Sequence, residues 1–304
     1  MVETIAILGA GAMGTVYASR FYDLDPACVS LVASGERYHR LKRDGLIINQ
    51  QHYAIPVISP QDEARPADLI LVALKHYHLP TALPDIRKLV GDNTVILSVM
   101  NGLDSEAIIA EQYGTDKVLY CIAVGIDAQR SENVIHYSKI GSLFFGEAEN
   151  IPPSARVLRI QHLLNRANIP NETPADMMRM LWWKFMINVG INQSSAILRA
   201  PYGVFQTDQH AQAIMEAAMR EVITLAQAAG VNLVMDDIPN WYKVLNTLHP
   251  LGKTSLLQDI EAGRITEVDV FAGKVVELGN SYGIPTPVNE LLLHAIKVIQ
   301  QDGK

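Results

Sequence analysis

Short apolar runs alternate with stretches of helical periodicity through the first half of the chain. Each run has four or five residues and is rich in Val, Ile and Leu, and enough residues separate neighbouring runs for a crossover connection. Such a pattern is typical of parallel strands buried on both faces of a sheet. It predicts a doubly wound α/β domain with strands at Ile5–Leu8, Val29–Val32, Leu69–Ala73, Val95–Ser98 and Val118–Ile122.

Two later runs, Val134–Tyr137 and Ser142–Phe145, show a different pattern. Apolar and polar positions alternate in them, and a turn containing Gly141 separates them. Alternation with a period of two is typical of strands with one face toward solvent. The pair predicts a β-hairpin added to the edge of the sheet.

Strand signals nearly disappear after Ile151-Pro152-Pro153. Long helical periodicities follow, such as Ile214–Ala229 and Val268–Leu278, and predict an all-helical second domain. The prolines and turn formers of Asn168–Pro174 predict the linker. We therefore expect a first domain over residues 1–170 and a helical domain over residues 171–304.

Composition narrows the classes of protein. With 304 residues, 49% of them hydrophobic, the chain can bury a core large enough for two domains. The net charge of −7 and the scattered Lys and Arg residues argue against a nucleic acid or an anionic membrane as partner. Cys28 and Cys121 offer neither a disulfide framework nor a paired-cysteine metal site, which favours a reducing compartment. Without a basic leader or an apolar run of about 20 residues, the chain is expected to be soluble and cytoplasmic.

A glycine-rich turn follows the first predicted strand and opens a helix. In this context the G-x-G-x-x-G spacing indicates a dinucleotide site, since the glycines permit a tight turn, a close approach of the pyrophosphate and close helix packing. The helix N-terminus then presents N–H groups to the diphosphate. The residues of this turn are Gly9, Ala10, Gly11, Ala12, Met13 and Gly14.

The residue after the second strand bears on the choice of cofactor. An acidic residue there would hold the ribose 2′-hydroxyl of NAD, whereas a nearby arginine would pair with the 2′-phosphate of NADP. Here Ser34 precedes a basic cluster that contains Arg37 and Arg40, which favours NADP(H). Because the same charges also suit a solvated helix face, NAD remains open.

Lys184, Asn188 and Asn192 recur at intervals of four residues in an otherwise apolar stretch. On one helix they form a polar stripe, and burying such groups without partners is costly. The stripe therefore predicts a polar cleft rather than a solvent-exposed helix face. Farther along the chain, we expect Gly263 to end a helix and Thr266 to cap the next, which places Glu267 in its first turn. A carboxylate there more often stabilises the helix dipole than acts in catalysis.

Two other features border the predicted strands. Asn101 follows the strand Val95–Ser98 at the carboxyl end, where open α/β sheets bind ligands. His76 and His78 have no third ligand nearby, so no metal site is predicted. Trp182, Trp183 and Trp241 lie in apolar helical stretches and are expected to be core or interface residues, compatible with a homodimer.

These landmarks together resemble the ketopantoate reductases (2-dehydropantoate 2-reductases), and the resemblance covers the whole chain. It implies a Rossmann-type domain, a helical domain like the C-terminal domain of 6-phosphogluconate dehydrogenase, and an active site in a cleft between them. The chain departs from the family's pattern at Ser34, where an arginine is common, and at Tyr202, where a substrate-binding asparagine is expected. The matching residues are Gly9–Gly14, Leu74-Lys75, Asn101-Gly102, Trp183-Lys184, Asn188, Asn192, Ser255, Thr266-Glu267 and Gly283–Pro287.

The resemblance also implies roles for single residues. Lys184 corresponds to the general acid that orients the substrate carbonyl, and Glu267 to its partner near the reacting oxygen. Lys75 corresponds to a cofactor-binding lysine. The implied substrate-binding donors are Asn101, Asn188, Asn192 and Ser255, and amides with a hydroxyl suit a carboxylate because they do not compete for the proton.

Three functions remain in view. The first is NADPH-dependent reduction of ketopantoate to D-pantoate. The second is an NAD-dependent D-2-hydroxyacid dehydrogenase on the same scaffold, which is favoured by the departures at Ser34 and Tyr202. The third is a dinucleotide-sensing regulator without catalysis, against which the set Lys184, Asn188 and Glu267 argues.

Overall fold

The computed structural model describes residues 3–131 and 133–302. Contacts between Cα atoms divide the chain into two compact units, Met1–Met180 and Leu181–Lys304. The first unit extends ten residues beyond the boundary expected from the sequence. Each unit has its own architecture and is described separately.

An eight-stranded sheet organises the first unit, in the order β12-β11-β8-β7-β6-β1-β2-β5. The central strands are parallel, and Ile5 of β1 lies beside both Val29 of β2 and Leu69 of β6. The apolar runs become strands because their side chains are buried on both faces. The strands are β1 (Ile5–Leu8), β2 (Val29–Val32), β5 (Val57–Ile58), β6 (Leu69–Val72), β7 (Val95–Ser98), β8 (Val118–Ile126), β11 (Ile140–Gly146) and β12 (Asn171–Glu172).

The hairpin predicted from Val134–Tyr137 and Ser142–Phe145 is wrong. The second run belongs to β11, which pairs antiparallel with β8, so that Leu143 lies opposite Ala123. The first run lies in a separate four-stranded sheet with the order β4-β3-β10-β9. The strands of this accessory sheet are β3 (Leu46–Ile48), β4 (Gln51–Tyr53), β9 (Gln129–Ser131) and β10 (Val134–His136).

The segment Asn168–Pro174, predicted as a linker, contains the edge strand β12. Asn171 and Glu172 pair in parallel with Leu143 and Phe144 of β11. This pairing makes the segment part of the main sheet, although its prolines and polar residues are typical of a connection.

Helices cover the sheet of the first unit. Apolar side chains on the two faces of the sheet form separate cores, one around Tyr17, Phe21 and Phe145 and the other around Leu79, Ile86 and Ile109. The helices are α1 (Ala12–Leu24), α2 (Gly35–Asp44), α3 (Leu79–Ala82), α4 (Ser105–Tyr113) and α5 (Ala155–Arg166), with short 3-10 helices at His76–His78, Leu83–Leu89 and Thr115–Lys117.

The described part of the second unit contains helices and no strand, as the sequence predicts. Together with the parallel sheet of the first unit, this confirms the predicted fold class. Among residues 3–131 and 133–302, no helix has the length and apolar character needed to cross a membrane. The remaining helices are α6 (Met177–Ile187), α7 (Gln193–Leu198), α8 (Tyr202–Thr207), α9 (Gln209–Ala228), α10 (Asp237–Leu245), α11 (Ser255–Glu261), α12 (Lys274–Tyr282) and α13 (Pro287–Asp302), with π-helical turns at Asn188–Asn192 and Asp269–Gly273.

Candidate functional site

The candidate residues of the first unit share one edge of the main sheet. Gly9, Ser34, Lys75 and Asn101 follow the carboxyl ends of β1, β2, β6 and β7. These four strands are neighbours in the order β7-β6-β1-β2. The parallel pairing therefore brings together residues up to 92 positions apart at the edge where open α/β sheets bind ligands.

The glycines of the turn meet different requirements. Gly9 has φ +113°, and a Cβ there would lie 2.4 Å from the Ala73 carbonyl oxygen. A Cβ on Gly14 would lie 2.1 Å from the Gly9 oxygen, so helix packing excludes any side chain. At Gly11 the nearest atom would be 3.9 Å away. Protein packing thus demands glycine at positions 9 and 14 but leaves space beside Gly11 for a ligand.

Helix α1 begins directly after this space. Gly11 is its N-cap and supplies no side-chain cap, so Ala12 and Met13 in the first turn carry N–H groups without intrahelical acceptors. The buried Ala10 connects strand and helix. Free N–H groups beside an open backbone fit the diphosphate of a dinucleotide.

Ser34 and Arg37 lie beyond β2, at the start of α2. Ser34 is exposed, and its hydroxyl donates a hydrogen bond to Asp85 Oδ2 at 3.1 Å. Arg37 is half-buried; burial, and next the charge of Arg40, lower the pKa of its guanidinium. The proximity of Asp85 is not apparent from the sequence, because this residue belongs to a 3-10 helix that carries no recognisable motif.

A second arginine reaches the turn from the accessory sheet. Arg130 lies on β9, and its Nη1 donates a hydrogen bond to the carbonyl oxygen of Ala10. Burial lowers the pKa of Arg130 to about 10, with further contributions from Arg37 and Arg40. No sequence pattern marks Arg130, since its strand is short, polar and remote from the turn in sequence.

The loop that holds Asn101 is attached to a buried polar network. The Met100 N–H donates to Ser98 Oγ at 3.3 Å, and Ser98 Oγ donates to Ser105 Oγ at 2.8 Å. Ser105 Oγ in turn donates to Glu106 Oε2 at 2.8 Å. Burial raises the pKa of the Glu106 carboxyl to about 7. Asn101 itself is half-buried and has an interaction partner, as does Lys75.

In the second unit, Lys184 lies near the end of α6 among apolar residues. Its side chain is half-buried, and desolvation lowers the pKa of the ammonium to about 8. No charged or hydrogen-bonding group among the described residues offsets this shift. An ammonium with a pKa near neutrality can release a proton at physiological pH.

The predicted helical stripe is interrupted. Asn188 and Asn192 are buried, 5% and 6% exposed, and they begin and end a π-helical turn. A π-helical turn therefore replaces the regular α-helical turn expected between the two asparagines, and such π turns are frequent at functional sites.

Gln193 ties this turn to a second π-helical turn, Asp269–Gly273. Its Nε2 donates to the Val189 carbonyl oxygen at 2.7 Å and to Asn289 Oδ1 at 3.1 Å. Its Oε1 accepts the Ala272 N–H at 3.1 Å. Gln193 is fully buried, so these bonds make it a positioning residue that the sequence alone did not reveal.

The predicted cap at Thr266 is wrong. Thr266 Oγ1 donates to Gln300 Oε1 at 2.6 Å, and the π turn has Val268 as its N-cap. Glu267 therefore precedes the helix; it is 4% exposed and has an interaction partner.

Ser255 is exposed in the first turn of α11, whose cap is Thr254. Gly263, with φ +63°, lies just beyond the end of α11, as expected.

Among residues 3–131 and 133–302, no group of three or more His, Cys, Asp or Glu side chains could hold a metal ion. His76 and His78 form a single turn of 3-10 helix that leads into α3.

Comparison with known proteins covers nearly the full length. The model of the ketopantoate reductase PanE/ApbA family matches residues 5–150, and that of the ketopantoate reductase PanE/ApbA C terminal matches residues 176–300. A 2-dehydropantoate 2-reductase from Halobacterium salinarum is 25% identical over 304 residues, which cover 98% of this chain and 99% of that protein.

Two solved structures have a similar fold. A 2-dehydropantoate 2-reductase from Geobacter metallireducens superposes with a TM-score of 0.84 at 25% identity, covering 97% of this chain and 99% of the other. A ternary structure of D-mandelate dehydrogenase with NADH and anilino(oxo)acetate gives a TM-score of 0.87 at 21% identity, covering 99% of both chains. The second likeness concerns the fold alone.

Proposed function

Because the chain belongs to the ketopantoate reductase PanE/ApbA family and is an oxidoreductase, we propose that it reduces ketopantoate to D-pantoate with NADPH. This reaction would place it in pantothenate and coenzyme A biosynthesis. The observation that carries the proposal is Lys184, an ammonium with a pKa lowered by desolvation to about 8 in a chain whose glycine turn fits a dinucleotide. A cytoplasmic location and a homodimer are also part of the proposal.

Ketone reduction defines what the residues must do. A nicotinamide, when bound, would supply the hydride that adds to C2 of the substrate. Lys184 holds the carbonyl oxygen and donates a proton to it, and its positive charge stabilises the negative charge that develops there. The lowered pKa reduces the free-energy cost of that proton transfer.

The remaining candidate residues orient the substrate. Asn101, Asn188, Asn192 and Ser255 are the proposed donors to its carboxylate and hydroxyl groups. Glu267 is the proposed partner near the reacting oxygen, and its burial supports a fixed orientation. On the cofactor side, Gly9–Gly14 would hold the diphosphate of the dinucleotide, while Ser34, Arg37 and Lys75 would bind its remaining polar groups.

An NAD-dependent D-2-hydroxyacid dehydrogenase is the alternative. Asp85 favours it, because a carboxylate 3.1 Å from the Ser34 hydroxyl can accept a hydrogen bond from a ribose hydroxyl and repels a phosphate. Tyr202, half-buried at the start of α8, would favour an aromatic 2-oxo acid. The non-catalytic regulator is set aside, since the family is one of oxidoreductases.

Parallel assays separate these functions. Absorbance at the nicotinamide band is followed for NADPH and NADH with ketopantoate, 2-oxoisovalerate and phenylpyruvate. We expect the highest kcat/KM for ketopantoate with NADPH, because a pocket that binds the substrate hydroxyl rejects analogues without it. Faster turnover of 2-oxoisovalerate or phenylpyruvate would replace ketopantoate with the alternative substrate class.

A further inference from the structure

The fully buried Gln193 directly follows the first π turn, Asn188–Asn192. Its backbone N–H donates to the Gly190 carbonyl oxygen, and its side-chain Nε2 donates to the Val189 carbonyl oxygen at 2.7 Å. In a regular α-helix the backbone N–H of Gln193 would pair with Val189, four residues earlier. The side chain thus makes the contact with Val189 that the backbone makes in a regular helix.

The same side chain completes the second π turn, Asp269–Gly273. The N–H groups of Phe271 and Gly273 donate to the Val268 carbonyl oxygen at 3.2 and 3.1 Å. The N–H of Ala272, which lies between them, donates to Gln193 Oε1 at 3.1 Å instead. Because Ala272 is fully buried, its N–H needs an acceptor within the protein. Gln193 supplies that acceptor from 79 residues earlier in the chain.

Asn289 fixes which way the Gln193 amide points. Asn289 Nδ2 donates to Glu221 Oε2 at 2.7 Å and to the Ala218 carbonyl oxygen at 3.2 Å. Its Oδ1 therefore faces Gln193 and accepts from Nε2 at 3.1 Å. In the opposite orientation, the Gln193 oxygen would face the Asn289 oxygen, and its amide hydrogens would face the Ala272 N–H. The neighbouring groups thus allow one orientation only.

Glu267 depends on these contacts because it lies in an irregular segment between α11 and the second π turn. Before it, the N–H and hydroxyl of Thr266 donate to Gln300 Oε1 at 3.0 and 2.6 Å. After it, the second π turn is bonded to Gln193. Two glutamine side chains therefore hold the chain on either side of the Glu267 carboxylate.

In the proposed function, Asn188 and Asn192 bind the 2-oxo acid and Glu267 lies near the reacting oxygen. Resting on that function, we propose that Gln193 is a positioning residue that fixes Glu267 relative to the two asparagines. Gln193 acts through the two π turns and not by contact with the substrate, since it is fully buried and both of its amide hydrogens are donated within the protein. Such alignment governs the rate of a reaction between bound groups.

Hydrogen exchange tests the structural part of the proposal without any substrate. Amide exchange is followed by mass spectrometry for the native protein and for Gln193→Met, which keeps an unbranched side chain and removes the amide. We expect about tenfold faster exchange in the second π turn, Asp269–Gly273, because the Ala272 N–H loses its acceptor. Exchange in α10 should stay unchanged.

Kinetics tests the functional part with the 2-oxo acid and the cofactor that the native protein uses best. In Gln193→Met, single-turnover hydride transfer should slow by about 10- to 100-fold, while KM stays within about threefold. The asparagines keep their place because the backbone bonds of α6 and α7 remain. In a Glu267→Gln background, the same substitution should slow the reaction by less than about threefold, since the contribution of Glu267 is already lost.

Two further variants complete the design. Gln206→Met is the matched control in the same unit, because the half-buried Gln206 donates to the carbonyl oxygens of Leu245 and Leu248 at 2.9 and 3.0 Å. It should keep the native rate and the native exchange of the second π turn. Gln193→Asn serves if Gln193→Met does not fold; its shorter amide cannot bond both turns, so the same loss in rate is expected.

The outcomes separate this inference from the proposed function. Unchanged exchange in the second π turn would overturn the inference, as would equal losses of rate in the native and Glu267→Gln backgrounds. A native rate in folded Gln193→Met would also overturn it and leave the proposed reduction intact. If the native protein reduces no 2-oxo acid, the proposed function fails, whatever the exchange of the turn.

Discussion

Each unit contains an ionisable side chain whose pKa is moved toward neutrality by desolvation. The two side chains differ in their exposure and in their hydrogen-bond partners. Glu106 in the first unit is 4% exposed and accepts a hydrogen bond from Ser105. Lys184 in the second unit is half-buried, and nothing in the described chain offsets its desolvation. The Glu106 carboxyl is thus buried within a hydrogen-bond network, whereas part of the Lys184 side chain is exposed.

This difference shows that a shifted pKa does not identify a catalytic group by itself. Glu106 is closed off from any substrate, so its protonation affects stability and the support of the loop that carries Asn101. In the proposed function Lys184 exchanges a proton with the substrate, so we expect its protonation to affect the reaction. Access and hydrogen-bond partners distinguish the two roles.

The largest expected effect tests the proposed role of Lys184 in catalysis. Lys184→Met keeps the aliphatic stem and removes the proton donor, and we expect single-turnover hydride transfer to slow by roughly 10²- to 10⁴-fold. NADPH affinity, determined by fluorescence, should persist, because the dinucleotide turn belongs to the first unit. The matched control is Lys243→Met, an exposed lysine bonded to Asn240, which should retain the native rate. If the Lys184→Met variant transfers hydride at a rate within a few-fold of the native rate, Lys184 is not the proton donor.

The second prediction concerns stability of the first unit. Burial raises the pKa of the Glu106 carboxyl from 4.5 to about 7. The favourable contribution of this carboxyl to the free energy of unfolding is therefore complete below pH 4.5 and is lost as pH rises to about 7. Glu106→Gln stays neutral and should gain roughly 2 to 3 kcal/mol relative to the native protein between pH 5 and pH 8. Urea unfolding at the two pH values measures it. The matched control is Glu111→Gln, an exposed position on the same helix, whose stability relative to the native protein should not change with pH. If the stability difference between Glu106→Gln and the native protein is also independent of pH, the raised pKa of Glu106 is contradicted.

The pH dependence of the rate follows from Lys184. Reduction needs the ammonium, so its rate should fall about tenfold per unit as pH rises above about 8. Oxidation of the hydroxy acid needs the neutral amine and should show the opposite slope. Single-turnover rates from pH 6 to 10 test both directions, and Lys184→Met should lose this dependence. An identical pH profile in the native protein and the variant would exclude Lys184 as its source.

The smallest effects are expected for two glycines of the first unit, where the backbone rather than a reactive side chain is proposed to bind the cofactor. Substitution of Gly11 and of Gly14 should affect different properties of the protein. Gly11→Ala should weaken NADPH and NADH equally, by roughly tenfold, while stability stays within about 1 kcal/mol because the new Cβ meets no close atom. Gly14→Ala should lower stability by roughly 1 to 3 kcal/mol, since its Cβ would lie 2.1 Å from the Gly9 oxygen. Fluorescence titration and thermal melting distinguish the two, and a reversed pattern would refute the assignment of space beside Gly11.

Sequence alone determined the features that depend on local physical chemistry. The strands at Ile5–Leu8, Val29–Val32 and Val95–Ser98 were predicted to the residue, because short apolar runs bounded by turns leave the chain few other buried conformations. The glycine spacing likewise predicted the turn, since backbone sterics operate within a few residues. The placing of Lys184 on a helix with apolar neighbours was predictable for the same reason.

Tertiary structure decided what depends on distant partners. Val134–His136 does not form the predicted hairpin, because Val134 pairs with Ile47, which is far away in sequence. The π turn after Lys184 is stabilised by Gln193, whose acceptor oxygen binds the Ala272 N–H 79 residues later. Arg130 reaches Ala10 across 120 residues. Local periodicity carries no information about such pairings, because their free energy comes from burial and hydrogen bonds that exist only once the chain has folded.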